Sequence, residues 1–266
     1  MKTLIAHQLP KKTDRVVFCP LTSDQADAYE TFVNSEIVTA IRTASEPCDC
    51  GKKTKRGWCC YAILSNGEQW QKYVFPAMQT LQKLSNHLAL LIPRSDASVE
   101  QQQKDLEVLQ TAVPHLWKDL FANRDSILNY SNVNFCGKWK ILRKLLDFWH
   151  KSMLSIHSKM DSADILIDGD KVLVFSHSVR LLQMLQLLFS TTTTFNVSYL
   201  DGQLALDLRT KAVDDFNADP NQFVFLISTK AGGVGLNITS ANKVVIVDPN
   251  WNPSVHTIIL NYERLC

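Results

Sequence analysis

The sequence lacks several features that would assign it to a familiar class of protein. None of its 266 residues lie in an apolar stretch long enough to span a membrane, and Met1–Pro10 has neither the apolar core nor the cleavage site of a signal peptide. A net charge of +2 is too small to indicate a nucleic-acid partner by itself. We therefore expect a globular protein that works inside the cell and has no membrane partner.

Two motifs that handle nucleotides are also missing. No G-x-x-x-x-G-K-[ST] stretch occurs, so the sequence contains no P-loop and none of its phosphate-binding lysine. No Asp-Glu dipeptide occurs either, which leaves out the acidic pair that holds magnesium and orients water in many ATPases. These absences argue against autonomous ATP hydrolysis, and we predict no catalytic residue in this chain.

The first part of the chain, residues 1–95, has a mixed pattern. Arg15–Pro20 predicts a short strand, Ser23–Val33 a helix that begins with its own serine as N-cap, and Phe75–Leu91 a helix with leucines at helical spacing. Residues 96–135 are polar and predict a linker with one or two helices and a mobile loop.

The second part, residues 136–254, alternates short apolar strands with helices. This alternation is typical of a parallel sheet covered by helices, and continuous apolar runs such as KVLVF indicate strands that are buried on both faces. Ligands of such sheets bind at the carboxyl ends of strands, where Ser176, Asp201, Thr229 and Asp248 lie. The predicted strands are Lys171–Phe175, Phe195–Leu200, Phe223–Ser228 and Lys243–Asp248, and the predicted helices are Lys138–His150, Val179–Leu188 and Leu206–Phe216.

A glycine-rich loop lies in Ser228–Pro253, STKAGGVGLNITSANKVVIVDPNWNP. Exposed amides in such a loop can cradle a phosphate, and Thr229 and Lys230 would add a hydroxyl and a positive charge. A tight strand-to-helix turn that binds nothing would need the same glycines. A dinucleotide-binding fingerprint is excluded because Asn237 and Ile238 replace its third glycine.

Taken whole, this segment resembles motif V and its sequel in Swi/Snf-type ATPases. Ser-Thr-Lys-Ala-Gly-Gly-x-Gly-Leu-Asn is followed in order by Ala-Asn, an apolar strand, Asp-Pro and Trp-Asn-Pro. Lys171–Ser176 resembles motif IV, and Leu200–Asn217 resembles the block between the two motifs, with Leu204 where the family has Thr or Ser. Cys136-Gly137-Lys138 resembles the Ser-Gly-Lys that opens the second motor lobe.

Another resemblance lies in Leu81–Leu91, LQKLSNHLALL, which is similar to the family's Leu-Arg-Lys-x-x-Asn-His-Pro. Leu88 replaces that proline and, together with a cysteine-rich insert, places the likeness nearest the excision-repair cross-complementing, or Rad-twenty-six-like, subgroup. The resemblance implies an α/β fold, with an incomplete RecA-like helicase C-terminal lobe at 136–254. Residues 1–95 would form a mainly helical lead-in that includes the end of the first motor lobe.

The resemblance also implies a function, that of the second lobe of an ATP-dependent DNA translocase in DNA repair or chromatin. ATP and magnesium would serve the full-length family member, the partners would be duplex DNA and chromatin or repair proteins, and the location would be nuclear. A plain packing role is the alternative for the tryptophan of Trp-Asn-Pro. The implied DNA-binding residues are Ser176, Thr229, Lys230 and Trp251, and the implied nucleotide-binding residues are Gly233, Gly235 and Asn237.

The resemblance stops abruptly near Val255. The family continues to Gln-Ala-x-x-Arg-x-x-Arg, whose arginines act on the γ-phosphate, whereas this chain has Ile258, Tyr262 and Leu265 in register. We interpret residues 255–266 as a divergent tail that begins at a splice or gene-model boundary. Without those arginines, the resemblance does not imply an autonomous ATPase.

Four of the seven cysteines lie in a basic segment, residues 47–61. Tetrahedral zinc takes four soft ligands, and a loop of this size could wrap one ion. Against zinc, C-x-C with an adjacent C-C pair is a poorer spacing than two C-x-x-C pairs, and a solvated basic loop with reduced thiols is the alternative. The candidate ligands are Cys48, Cys50, Cys59 and Cys60.

Three functions therefore stay open. The first is the motor lobe of a DNA translocase, and the second is a non-enzymatic DNA- or partner-binding isoform that competes with the full-length motor. The third, a small nucleotide-binding α/β enzyme, is disfavoured by the failed dinucleotide fingerprint. DNA binding without ATP hydrolysis would favour the second over the first.

Overall fold

A computed structural model describes residues 13–157, 170–232 and 236–248, and the chain divides in it into two compact units. Residues 20–140 form one of them, which we call the lead-in unit. The residues before 20 and after 140 belong to the other, which we call the sheet unit. No helix in these three ranges is both long and apolar enough to cross a membrane.

The lead-in unit is helical, as the family resemblance implies for residues 1–95, and it extends to Lys140. Short 3-10 helices at Arg56–Trp58, Trp70–Tyr73, Leu88–Leu91 and Val133–Phe135 alternate with its α-helices. The α-helices are α1 (Ser23–Val33), α2 (Glu36–Thr43), α3 (Val74–Asn86), α4 (Val99–Ala112), α5 (Trp117–Ala122), α6 (Ile127–Tyr130) and the first turn of α7 (Gly137–His157).

The strand predicted at Arg15–Pro20 is absent, and that prediction was wrong. The segment has no regular structure, and Val16 and Phe18 are 83% and 89% exposed. An apolar, β-branched run forms a strand only where a neighbouring strand accepts its hydrogen bonds, and none pairs with it among the described residues.

Two helix ends also differ from the prediction. The N-cap of α1 is Thr22 rather than Ser23, because the Thr22 hydroxyl accepts the Gln25 N–H in a capping box. The helix predicted over Phe75–Leu91 ends at Asn86, since His87 is extended with φ −161° and ψ 131°. Leu88 and its neighbours then continue in a 3-10 turn.

Residues 96–135 contain three α-helices, α4 to α6, instead of the one or two predicted. Their sequence is polar, but Leu109, Ala112 and Leu120 are buried. A narrow apolar stripe of this kind is enough to fold short helices onto a neighbouring surface.

The sheet unit is an α/β structure with a fully parallel sheet, which confirms the predicted fold class. Its strands are β1 (Val172–Ser176), β2 (Asn196–Leu200), β3 (Gln222–Ser228) and β4 (Lys243–Ile246), in the order β2-β3-β1-β4. The remainder of α7 lies in this unit with α8 (Val179–Thr192), α9 (Leu206–Ala218) and the short α10 (Thr229–Gly232).

The burial of each strand follows its place in the sheet. The inner strands β1 and β3 are buried at nearly every position, whereas β2 and β4 are only half-buried. Continuous apolar runs are therefore required in β1 and β3, where helices cover both faces. On one face, Val213 and Phe216 of α9 pack with Leu173, Phe175 and Phe225.

Candidate nucleic-acid interface and cysteine cluster

The parallel register brings the ends of the central strands together. Ser176, the last residue of β1, pairs with Ser228, the last residue of β3. Thr229 follows β3 directly, Asp248 lies two residues after the end of β4, and all four side chains are buried. The carboxyl ends of these parallel strands, which we call the carboxyl edge, are therefore lined with polar groups that the fold itself holds in place.

His177 links three strands at this edge. Its backbone N–H donates to Oδ1 of Asp248 at 3.0 Å, and its Nδ1 lies 3.3 Å from the Thr229 hydroxyl. The ends of β1, β3 and β4 are thus tied through one residue. Sequence reasoning missed His177 because a lone histidine after a serine matches no spacing pattern.

Ser176 shapes the turn that leads into α8. Its hydroxyl oxygen accepts the Ser178 N–H at 3.0 Å and donates to the Ser178 carbonyl at 3.3 Å. The Ser178 hydroxyl in turn caps α8 by accepting the Leu181 N–H at 3.2 Å. This arrangement fixes the backbone amides between β1 and α8 at the carboxyl edge.

The loop after β2 is braced by side chains of the block between motifs IV and V. The Tyr199 hydroxyl donates to Asp201 at 2.9 Å, and burial together with this carboxylate raises the pKa of Tyr199 well above its usual range. Arg209 of α9 donates to the carbonyls of Gly202 and Leu204, both at 2.7 Å. The Leu204 side chain packs against the apolar cluster under α9, which accommodates its departure from the family pattern.

Asn217 holds the loop that follows the glycine-rich segment. Its Nδ2 donates to the Asn237 carbonyl at 2.9 Å, and its Oδ1 accepts the N–H groups of Thr239 and Ser240 at 3.1 and 3.3 Å. The preceding Phe216 is fully buried on Phe225. Phe216 is therefore anchored in the core, and Asn217 holds the loop through its hydrogen bonds.

The predicted ligand residues fall into three groups. Ser176 and Thr229 are buried at the carboxyl edge, while Lys230 on α10 and Asn237 in the clamped loop are exposed. Their roles toward DNA or nucleotide stay predictions. Gly233, Gly235 and Trp251 lie outside the described residues.

In the lead-in unit, Gln25 joins α1 to α3 and α7. This fully buried side chain donates to the Leu84 carbonyl at 2.9 Å and accepts the Gly137 N–H at 2.8 Å. A methyl group on Gly137 would overlap the carbonyl oxygen of Pro20. The glycine that opens α7 is thus required by backbone packing.

Asn86 connects two of the segments that resemble the family, Leu81–Leu91 and Cys136-Gly137-Lys138. The Cys136 thiol donates to its carbonyl at 2.8 Å, and Lys138 Nζ donates to its Oδ1 at 2.6 Å. The ring of His87 lies 4.3 Å from that of Trp139. Asn-His and Cys-Gly-Lys therefore serve the packing of this unit.

The cysteine cluster is built on a short antiparallel turn. Pro47 bridges Lys55, the Cys48 N–H donates to the Thr54 carbonyl at 3.0 Å, and Gly51 turns the chain with φ 78°. The four sulfur atoms of Cys48, Cys50, Cys59 and Cys60 lie within 4.8 Å of one another.

The thiols of this cluster differ in acidity. Backbone hydrogen bonds from Cys50 and Cys60 lower the pKa of Cys48 to about 6. The side chain of Thr54 is the main cause that lowers the pKa of Cys59, while the neighbouring thiols raise the pKa of Cys60 to about 12. The fold thus favours a thiolate at the buried end of the cluster.

Comparison with known proteins shows which proteins this chain is similar to. Residues 137–259 match the helicase conserved C-terminal domain. Switch 2 of Arabidopsis thaliana is 37% identical, in an alignment that covers 94% of this chain and 29% of that protein. The DNA excision repair protein ERCC-6-like 2 of Mus musculus is 35% identical, in an alignment that covers 95% of this chain and 15% of that protein. The chain carries a helicase C-terminal domain with Swi/Snf-family homologues. The chain spans less than a third of either curated relative.

Solved structures of other ATPase domains have a similar fold. The C-terminal part of the Fun30 ATPase domain matches with a TM-score of 0.62 at 21% identity, over 96% of this chain and 81% of that one. The Sulfolobus solfataricus SWI2/SNF2 ATPase core in complex with dsDNA matches with a TM-score of 0.57 at 20% identity. This match covers 96% of this chain and 39% of that one. The matches in sequence confirm the resemblance to Swi/Snf-type proteins, and the solved structures show the fold.

Proposed function

We propose that this chain is the second motor lobe of a Swi/Snf-type DNA translocase and contacts the backbone of duplex DNA. The observation that carries the proposal is the carboxyl edge, where the motif IV-like segment ends beside the start of the motif V-like segment, in residues that match a helicase C-terminal domain. Support also comes from the SWI2/SNF2 core that shares the fold and was solved with dsDNA.

The DNA contact combines exposed and buried residues. Lys230 supplies an exposed positive charge directly after β3, and Trp251 supplies an aromatic ring for the DNA. Ser176 and Thr229 are buried, so we infer that they act mainly by holding the amides of their turns toward a phosphate.

Nucleotide contact is the second part of the proposal. Gly233, Gly235 and Asn237 would meet ATP and magnesium held by a first lobe, since the 266 residues contain no P-loop and no Asp-Glu pair. We infer that the chain alone does not turn over ATP. If the added chain inhibits a full-length motor, the competing-isoform function is favoured instead.

The setting of this activity follows from the relatives. One of them is named for DNA excision repair, and another, from Xenopus tropicalis, is named as a SWI/SNF-related regulator of chromatin. We infer a nuclear location, with chromatin or repair proteins as further partners.

Replacing Lys230 tests the interface. We expect Lys230→Gln to weaken duplex DNA binding several-fold and to lower the salt dependence by about one phosphate contact, measured by fluorescence anisotropy across a salt series. Lys243→Gln is the matched control, because Lys243 opens β4 at the opposite edge of the sheet and pairs with Asp170 at 2.9 Å.

Both variants are expected to show only background ATP hydrolysis when DNA is present. Equal loss of affinity in the two variants would contradict the assigned edge, and turnover well above background would contradict the inferred dependence on a first lobe.

A further inference from the structure

The cysteine cluster of the lead-in unit has the geometry of a metal site. The Sγ atoms of Cys50 and Cys59 are 3.5 Å apart, and those of Cys59 and Cys60 are 3.8 Å apart. Four sulfur ligands at about 2.3 Å from a tetrahedral zinc ion lie about 3.8 Å from one another. A disulfide requires sulfur atoms about 2.05 Å apart, so these spacings fit a shared ion better than a covalent pair.

Backbone hydrogen bonds hold together the two arms that carry the thiols. Cys48 and Cys50 lie on the first arm of the antiparallel turn, and Cys59 and Cys60 follow the 3-10 helix at Arg56–Trp58. Backbone bonds tie the arms together, with the Arg56 N–H donating to the Glu46 carbonyl at 2.8 Å. The adjacent Cys59 and Cys60, an unfavourable spacing in the sequence, both reach the cluster because the helix ends directly before them.

A buried anchor holds the second arm against the rest of the unit. Trp70 Nε1 donates to the Gly57 carbonyl at 2.8 Å, and a methyl group on Gly57 would come within 2.8 Å of both Ala44 Cβ and Trp70 Nε1. The ring of Trp58 packs edge-on against Trp70 at 5.3 Å. The apolar cluster under this segment contains the buried residues Ala44, Leu64 and Trp70.

The charge around the cluster suits a zinc ion with four thiolates. Such a centre carries a net charge of about −2, and the loop between the arms supplies exposed Lys52, Lys53 and Lys55. Arg56 is itself held over the ring of Tyr61 at 4.0 Å.

We propose that Cys48, Cys50, Cys59 and Cys60 bind one structural zinc ion, which fixes the basic loop 47–61 on the lead-in unit. All four coordination positions would be filled by sulfur, so the ion has a structural role and no open site for catalysis. This proposal does not depend on the proposed function.

Metal content of the full chain, purified under reducing conditions and reconstituted with zinc alone, tests the proposal. We expect close to one equivalent of zinc per chain by mass spectrometry of the metal. Cobalt in place of zinc should give the visible bands of a tetrahedral site and sulfur-to-cobalt charge transfer. Less than half an equivalent after reconstitution, or a disulfide within the cluster under reducing conditions, would overturn it.

Ligand variants and a control identify the residues. Cys50→Ser and Cys59→Ser should each weaken zinc binding at least tenfold, whereas Cys19→Ser, outside the cluster, should retain it. In the unaltered chain, zinc should protect the four cluster thiols from alkylation, and a chelator should remove that protection. The alkylation result is independent of whether a variant folds, and unchanged labelling on adding the chelator would also overturn the proposal.

Discussion

At the level of single residues, Asn217 connects the end of α9 to the loop that leads into β4. One side chain satisfies a carbonyl and two N–H groups of the Asn237–Ser240 segment. Each such hydrogen bond contributes about 1 kcal/mol to stability. The clamp is therefore strong enough to decide whether this loop has one conformation.

Asn217→Ala should release the loop. We expect the amides of Thr239 and Ser240 to exchange about 5 to 30 times faster, corresponding to about 1–2 kcal/mol of lost local stability. Hydrogen exchange followed by mass spectrometry measures this. Asn217→Asp keeps the acceptor oxygen and loses only the donor, so its exchange should be closer to that of the unaltered chain. If both variants exchange at the original rate, the clamp has no energetic role.

At the level of elements, the start of α7 is the tightest junction of the lead-in unit. Gly137 meets the backbone of Pro20, and its N–H donates to the buried Gln25. Backbone atoms cannot move aside as the end of a flexible side chain can, so added volume here has to displace α7 or the start of α1.

Gly137→Ala should accordingly destabilise the chain by about 3 kcal/mol or more, at the upper end of the cost of overpacking. Gly202→Ala is the matched control, because a methyl group there meets nothing within 4 Å, and we expect a change within about 0.5 kcal/mol. Chemical unfolding of both variants measures the difference. Similar unfolding midpoints for the two variants would show that α7 or the start of α1 shifts to accommodate the methyl group at little cost.

The elements also show what the sequence could and could not predict. The continuous apolar runs of β1 and β3 were predictable because inner parallel strands are buried on both faces. The run at Arg15–Pro20 has similar residues but no partner strand, and a local pattern does not contain that information. The end of α3 at Asn86 depends on contacts with Cys136 and Lys138, far along the chain.

The candidate site was predictable to a similar extent. The spacing of Ser176 and Thr229 after apolar runs placed both at the carboxyl edge, which the strand register bears out. The link through His177 depends on three strands meeting, so no sequence motif marks it. The convergence of the four cysteine sulfur atoms depends on the bridge between Pro47 and Lys55.

At the level of the whole molecule, the two units carry different candidate sites. The sheet unit presents the carboxyl edge, and the lead-in unit carries the cysteine cluster and the basic loop. The net charge of the chain is only +2, so the proposed binding to DNA would have to come from local features such as Lys230 rather than from overall attraction.

Hydrogen exchange of the chain with and without duplex DNA tests the central claim most directly. We expect DNA to slow exchange at His177–Ser178 and at Thr229–Lys230, which lie at the carboxyl edge. The amino ends of β1 and β4, at the opposite edge, should be unchanged. Protection confined to that opposite edge, or no protection at saturating DNA, would contradict the assignment of the carboxyl edge as the DNA interface.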